Sequence, residues 1–298
     1  MANTYRRNKR TGKRERDGYN PAISRSCEHN GGCPWCERNR LYNRNRMEQI
    51  AKDEIENVDV EDGYGLAVID ADSILYRAAA GAGDDSPVEH ALHNVKTIVE
   101  KIFDMCQPDA YTFHIGGDKN FRFEIATIKP YKGNRVLPKP VHLQACREYL
   151  LNNWGAEIAD NEEADDACGI EFNEAFEEGL NPVLVHIDKD LDQHQGWHFN
   201  YPKNEFYWVG EFEGKKWFYQ QMLWGDSSDN IPGINGLGEK KSKKLLEHCT
   251  NEIECAMVVE AEYRKQYGDK WFEAYTEVGR LLYMRKKKGE MWCPILTS

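Results

Sequence analysis

Between residues 65 and 210 the chain alternates short apolar runs with longer amphipathic stretches. GLAVID (65–70), AYTFHIG (110–116), AEIAD (156–160) and NPVLVHID (181–188) are compact, β-rich and apolar. Runs of this kind predict strands covered on both faces, as in a mainly parallel sheet. Residues 87–105, 141–153 and 163–178 repeat apolar positions at three and four, which predicts helices between those strands. A β-α-β-α order favours a doubly wound α/β sheet, with ligands gathered at the carboxyl ends of the strands. WHFNYPKNEFYWVG (197–210) reads as a hairpin turning at Pro202-Lys203-Asn204. After residue 215 the pattern becomes helical and basic.

That pattern divides the chain into four parts. Residues 1–46 form a basic arm containing a Cys/His knot at 27–36, 47–64 an acidic linker, 65–214 the α/β core, and 215–298 a helical subdomain. At 298 residues, 40% of them hydrophobic, the chain can bury a sizeable core. No run of about 18 apolar residues is present, which predicts no membrane span and no membrane partner. The first thirty residues carry no apolar secretory signal, and nine irregularly spaced cysteines suit a reducing compartment. The expected location is the cytoplasm.

A net charge of −11 argues against a nucleic-acid partner until its distribution is read. Residues 1–46 hold 12 Lys/Arg against 4 Asp/Glu, so the negative charge lies beyond them. Much of it sits in four acidic clusters: Asp70; Asp118; Glu163, Asp165 and Asp166; and Asp188, Asp190, Asp226 and Asp229. Several adjoin apolar runs, where burial and mutual repulsion oppose ionisation. Hard divalent cations such as Mg2+ or Mn2+ remove that cost, and two of them beside a phosphodiester support its hydrolysis. Glu163 and Asp166, at i and i+3, share a helix face; Asp226 and Asp229 would do so in a helical turn.

IDADSILYRA (69–78), YKGNR (131–135), EEADDA (162–167), DKD (188–190) and GDSSDNIPGINGLGEK (225–240) occur in that order. Together they resemble the 5′-nuclease family: flap endonucleases, the 5′-nuclease domain of DNA polymerase I, and bacteriophage 5′–3′ exonucleases. The closing VGRLLYMRKKKGEMW (278–292) is similar to the phage enzymes in particular. The resemblance implies a PIN-like α/β core, a helix–hairpin–helix in the helical subdomain, and a two-metal 5′–3′ exonuclease or flap endonuclease. It also implies a place in phage DNA replication or DNA degradation.

Carried over by motif, Asp70, Asp118, Glu163, Asp165 and Asp166 would hold a first Mg2+ or Mn2+. Asp188, Asp190, Asp226 and Asp229 would hold a second, and Asp72 stands behind them. Lys132 and Arg135 would meet the scissile phosphate, Tyr131 would stack on a terminal base, and Arg122 would add a phosphate contact. Three prolines between 119 and 140 argue against a long arch helix over the site. In the hairpin, Gly233, Gly236 and Gly238 permit close backbone approach to a phosphate, and Lys240, Lys241, Lys243 and Lys244 add charge. Relatives carry K+ at this element.

Cys27, His29, Cys33 and Cys36 offer a tetrahedral Zn2+ site in the N-terminal arm, a docking module for nucleic acid or a replication protein. His114 and His186 read as structural, and the remaining cysteines as small buried apolar groups. The segment around Trp208, Trp217 and Trp224 reads as core and hairpin packing. The expected partner is DNA with a 5′ end, duplex or flap, with an RNA–DNA hybrid as a second substrate. Two alternatives stand beside this reading: a hybrid-directed, RNase H-like nuclease, and a catalytically weak DNA-binding scaffold.

Overall fold

The computed structural model describes residues 63–135 and 138–295, and two short strands, Tyr5–Arg7 and Arg14–Arg16, which pair antiparallel. Those strands belong to a unit of their own, Met1–Asp59, separate from the body Val60–Ser298. Cys27, His29, Cys33 and Cys36, with nearly all of the acidic linker, lie outside the described residues.

The body is built on six strands: β1 (Leu66–Asp70), β2 (Ala110–Ile115), β3 (Glu157–Ile158), β4 (Pro182–Val185), β5 (Gly196–Asn200) and β6 (Glu205–Val209). They lie in the order β3-β2-β1-β4-β5-β6, parallel except for the antiparallel β5–β6 hairpin at one edge. All four predicted strand segments and the hairpin are present.

The period of two decides which layer each strand residue meets. Ala67 and Ile69 of β1, with Val183 and Val185 of β4, enter the larger core beneath α1 (Ala71–Ala82) and α2 (Val88–Cys106). Val68 and Leu184 point the other way, onto Cys168 and Phe172 of α5 (Ala164–Glu177). Both faces are covered, so the strands read as unbroken apolar runs rather than alternating ones. The short α3 (Arg122–Ile125) follows β2, and α4 (Leu143–Trp154) joins the α1–α2 layer.

Helix α1 is absent from the sequence expectation. It begins at the residue after β1, with no intervening loop, because Asp70 caps it: Asp70 Oδ1 accepts from the Asp72 amide at 3.1 Å. The same acid thus ends the central strand and starts the helix.

The C-terminal part gathers α6 (Glu211–Trp224), α7 (Glu239–Leu245), α8 (Glu252–Tyr267) and α9 (Trp271–Leu282) about a second apolar core. The expected helical turn at Asp226 and Asp229 is not found. Gly225–Asp226 instead pairs antiparallel with Ile231–Pro232 in a tight hairpin. Gly225 and Gly233 make this possible: a Cβ on Gly233 would stand 2.2 Å from the Trp224 carbonyl carbon. Among the described residues no helix is long and apolar enough to cross a membrane.

Candidate active site

The carboxyl end of β4 opens onto a cleft of about 500 Å³, whose far wall is α6 and the 225–232 hairpin; Asp70, at the end of β1, is buried beside it, next to Asp165 and Asp188. Glu163, Asp165, Asp188, Asp190, Asp226 and Asp229 line it, with Tyr131, Lys132 and Arg135 along one side. Residues distant in sequence therefore meet as the order of motifs implied.

Electrostatics record the crowding. Burial, then the neighbouring Asp72 and Asp188, push Asp70 up to about 7. Burial, then Asp188 and Asp226, push Asp190 up to about 8. Asp165 is raised well above the carboxylate range by burial and by Asp70 and Asp188. Asp188 is raised as well, by burial and then by Asp226 and Asp229. Desolvation and like charge act together on these four acids, and a cation held among them would relieve both.

Local structure aims each acid. Asp188 caps the 3-10 turn Lys189–Gln193, accepting from the Asp190 amide at 3.0 Å. Asp226 Oδ1 accepts from the Ser228 amide at 2.7 Å, which fixes the hairpin. Asp190 is held by the side-chain amide of Gln221, itself bonded by Gln193 at 3.0 Å. Gln221 escaped the sequence reading because a lone glutamine in an aromatic helix gives no signal.

Lys132 donates to Glu163 and lies 3.8 Å from Asp229 Oδ2, and Arg135 pairs with Asp229. The Lys132 backbone has φ of 55° and its amide donates to the Asp229 carbonyl at 2.9 Å. The YKGNR turn is thereby clamped directly to the acidic hairpin.

Four expectations are corrected here. Tyr131 is buried at 5% exposure, with its hydroxyl 2.8 Å from Glu163 Oε2 and 2.6 Å from Asp229 Oδ2, so its ring cannot stack on a base. Arg122 is fully buried and cannot reach a phosphate; it pairs with Asp166, Nη2 donating to Oδ1 at 2.9 Å. Asp166 in turn faces the interior rather than the cleft. Burial alone would raise it, but Arg122 and the Arg285 amide hold it below the ordinary carboxylate range. Glu163 caps α5 in a capping box with Asp166, and Arg122 Nη1 lies against both carboxylates, so the two acids do lie together at the start of the helix. Asp118 stands exposed on the loop after β2 and is not among the cleft's lining residues. Asp72 lies nearer: it neighbours Asp70 electrostatically and accepts from the Gly116 amide at 3.1 Å.

Smaller differences concern aromatic and cationic groups. Trp217 and Trp224, read as packing, stack edge-to-face at 5.2 Å and form part of the cleft wall. Trp208 packs on Trp197 in the hairpin as expected. Arg285, from the basic run near the C-terminus, is buried over Phe121 at 3.6 Å. Cys293 is exposed, unlike the other described cysteines.

Beyond the cleft, α6, the glycine turn and α7 form a helix–hairpin–helix. Gly236 has φ of 76°, and a Cβ on Gly236 or Gly238 would meet nothing within 4 Å, so the backbone there is open to close approach. Lys240 and Lys244 are exposed, Lys241 Nζ donates to the Gly236 carbonyl at 2.8 Å, and Lys243 pairs with Glu239 at 2.6 Å.

No family model matches the chain. A DNA polymerase I from Caldicellulosiruptor bescii is 31% identical over 61% of this chain, and the match spans 24% of that protein. The flap endonuclease Xni of Vibrio vulnificus is 24% identical over 72% of this chain and 87% of its own length. The bacteriophage T5 5′-exonuclease, solved with zinc bound, superposes with a TM-score of 0.53 at 16% identity, over 73% of this chain and 86% of that one. The resemblance to the 5′-nucleases holds in sequence and in fold. The chain spans about a quarter of the polymerase relative and most of the two shorter 5′-nucleases.

Proposed function

We propose that the chain is a metal-dependent, structure-specific 5′-nuclease that hydrolyses DNA phosphodiesters, as its flap endonuclease relatives are named for doing. The observation that carries this is the convergence of Glu163, Asp165, Asp188, Asp190, Asp226 and Asp229 on one open cleft beside Lys132 and Arg135, with Asp70 buried next to them. Such a site fits hard divalent cations, Mg2+ or Mn2+, because oxygen ligands alone surround it. Asp70, Glu163 and Asp165 would hold one ion, and Asp188, Asp190, Asp226 and Asp229 a second. When bound, the ions supply activation of the attacking water and charge for the departing 3′ oxygen.

The chain's own cations have separate work. Lys132 and Arg135, tied to Glu163 and Asp229, stand where a phosphate entering the cleft would meet them and would neutralise its equatorial oxygens. Tyr131 holds Glu163 and Asp229 at a fixed separation from below. The open glycine backbone of the hairpin, with Lys240 and Lys244, would track the phosphates of the duplex without reading bases. The zinc knot of the N-terminal arm remains a proposed docking module.

The test is cleavage of 5′-labelled blunt duplex and 5′-flap DNA in Mg2+ or EDTA. Short 5′ products from the duplex, or a released flap, appearing only with Mg2+ support the proposal. DNA that binds but is never cut in Mg2+ or Mn2+ overturns it in favour of a scaffold.

A further inference from the structure

A second constellation lies behind the cleft, and no role in the proposed chemistry uses it. His186, Asp192 and His198 each offer one ligand atom, and those atoms lie within 4.8 Å of one another. His186 and His198 are almost wholly buried, at 1% and 0% exposure. Each follows from a different element: His186 from the end of β4, Asp192 from the 3-10 turn, and His198 from β5.

The hydrogen bonds assign the protons. His186 Nδ1 lies 2.5 Å from the Asp188 carbonyl, and His198 Nε2 lies 2.9 Å from the His194 carbonyl. A carbonyl oxygen only accepts, so both of these nitrogens carry hydrogen. In neutral imidazoles the remaining nitrogens, His186 Nε2 and His198 Nδ1, are then bare lone pairs. They face each other at 2.7 Å. Tyr207 does not resolve the conflict: its one hydroxyl proton serves Asp192 Oδ1 at 2.7 Å, while its oxygen is 3.3 Å from His186 Nε2.

Two lone pairs and a carboxylate converging in the interior require a positive centre between them. We propose that His186 Nε2, His198 Nδ1 and Asp192 Oδ1 bind a transition-metal ion of the Zn2+ class. Imidazole nitrogen suits such an ion, unlike the all-oxygen cleft. A ring N–H donated to a backbone carbonyl is the usual support for a metal-bound histidine, and both rings have it. Tetrahedral ligands of zinc stand about 3.3 Å apart. The 2.7 Å between the two rings and the 3.9 Å from each to Asp192 Oδ1 bracket that spacing. The Tyr207 hydroxyl flanks the fourth position, and its ring stacks on His198 at 5.2 Å.

Such an ion ties β4, the 3-10 turn and the edge hairpin at one point. Asp188 and Asp190 lie in the segment between His186 and Asp192, so the ion is a structural clamp on the loop that presents them. This inference does not rest on the nuclease reading and is tested by metal content.

The full chain, carrying no histidine tag, is stripped with chelator and reloaded with Zn2+ or Co2+ in excess Mg2+, which keeps the acidic cleft occupied. Wild type is compared with Asp192→Asn and His198→Gln. Reading the difference cancels any ion held by the N-terminal cysteines. The expected result is one equivalent less Zn2+ in each variant. Each should also lose the visible Co2+ bands of a tetrahedral nitrogen–oxygen site, with thiolate charge-transfer bands unchanged. Equal metal content in all three proteins overturns the proposal and leaves a proton shared by the rings. Should the variants not fold, histidine-labelled wild type is decisive by nitrogen NMR. Zn2+ should reversibly shift the assigned imidazole resonances of His186 and His198, and if those two signals do not move the site is overturned.

Discussion

Arg122 and Asp166 form a buried ion pair, Nη2 donating to Oδ1 at 2.9 Å, and neither side chain reaches solvent. Arg122 also donates from Nε to the Leu281 carbonyl at 2.9 Å, so it links α3, helix α5 and the end of α9. Removing one partner leaves the other charge unpaired in the interior, which costs about 3–5 kcal/mol. Arg122→Met should therefore lower the urea midpoint sharply with the m-value unchanged. A variant of normal stability with weakened DNA binding would return Arg122 to a phosphate-binding role.

Stability should depend on pH through the cleft acids. The folded pKa values of about 7 for Asp70 and about 8 for Asp190 lie above the ordinary 3.8. The folded chain thus binds protons that the unfolded chain has released, so the ion-free protein loses stability as pH rises from about 4 to about 8 and levels off above that. In EDTA at pH 8, Asp190→Asn should stabilise the fold by about 1–3 kcal/mol. Mg2+ should raise the melting temperature more at pH 8 than at pH 5.5. A flat pH profile in EDTA would contradict the electrostatic account.

Lys132 serves the reacting phosphate in this account, and Arg135 beside it. Lys132→Met should lower the single-turnover rate by about 10²–10³-fold with little change in duplex affinity. An equal loss in affinity and none in rate would make it a binding lysine. Because Lys132 sits at positive φ, glycine is the control that separates backbone strain from lost charge.

The hairpin lysines should behave differently from one another. Lys240→Ala and Lys244→Ala should weaken duplex binding and each reduce the salt slope by about 1, leaving the saturated cleavage rate unchanged. Lys241 braces the Gly236 carbonyl, so Lys241→Ala should also loosen the turn, read as faster amide exchange at 234–238. Identical behaviour of all three would place them on a merely solvated face.

The sheet was legible because strands covered on both faces are continuously apolar, and LAVID and PVLV read as such. The acids of the cleft were legible as an ordered set, since topology sends the ends of β1 and β4 to one place. What failed was side-chain direction. Asp165 and Asp166 are adjacent and chemically identical, yet one opens to the cleft and the other to Arg122, a partner 44 residues away. Tyr131 looked like a surface aromatic and is the post between Glu163 and Asp229. Helix α1 was missed because its cap is the last residue of a strand, leaving no loop to announce it. His186 read as structural because Asp192 and His198 meet it only once β4 and β5 pair.

The central claim is that the carboxylates of the cleft perform metal-dependent phosphodiester hydrolysis. Its most direct test is the single-turnover cleavage rate of a 5′-flap substrate in saturating Mg2+, for wild type beside Asp188→Asn. Removing one metal-holding charge should cost at least about 10³-fold in rate while the DNA remains bound. A variant that cuts as fast as wild type, with the same Mg2+ dependence, would contradict the account.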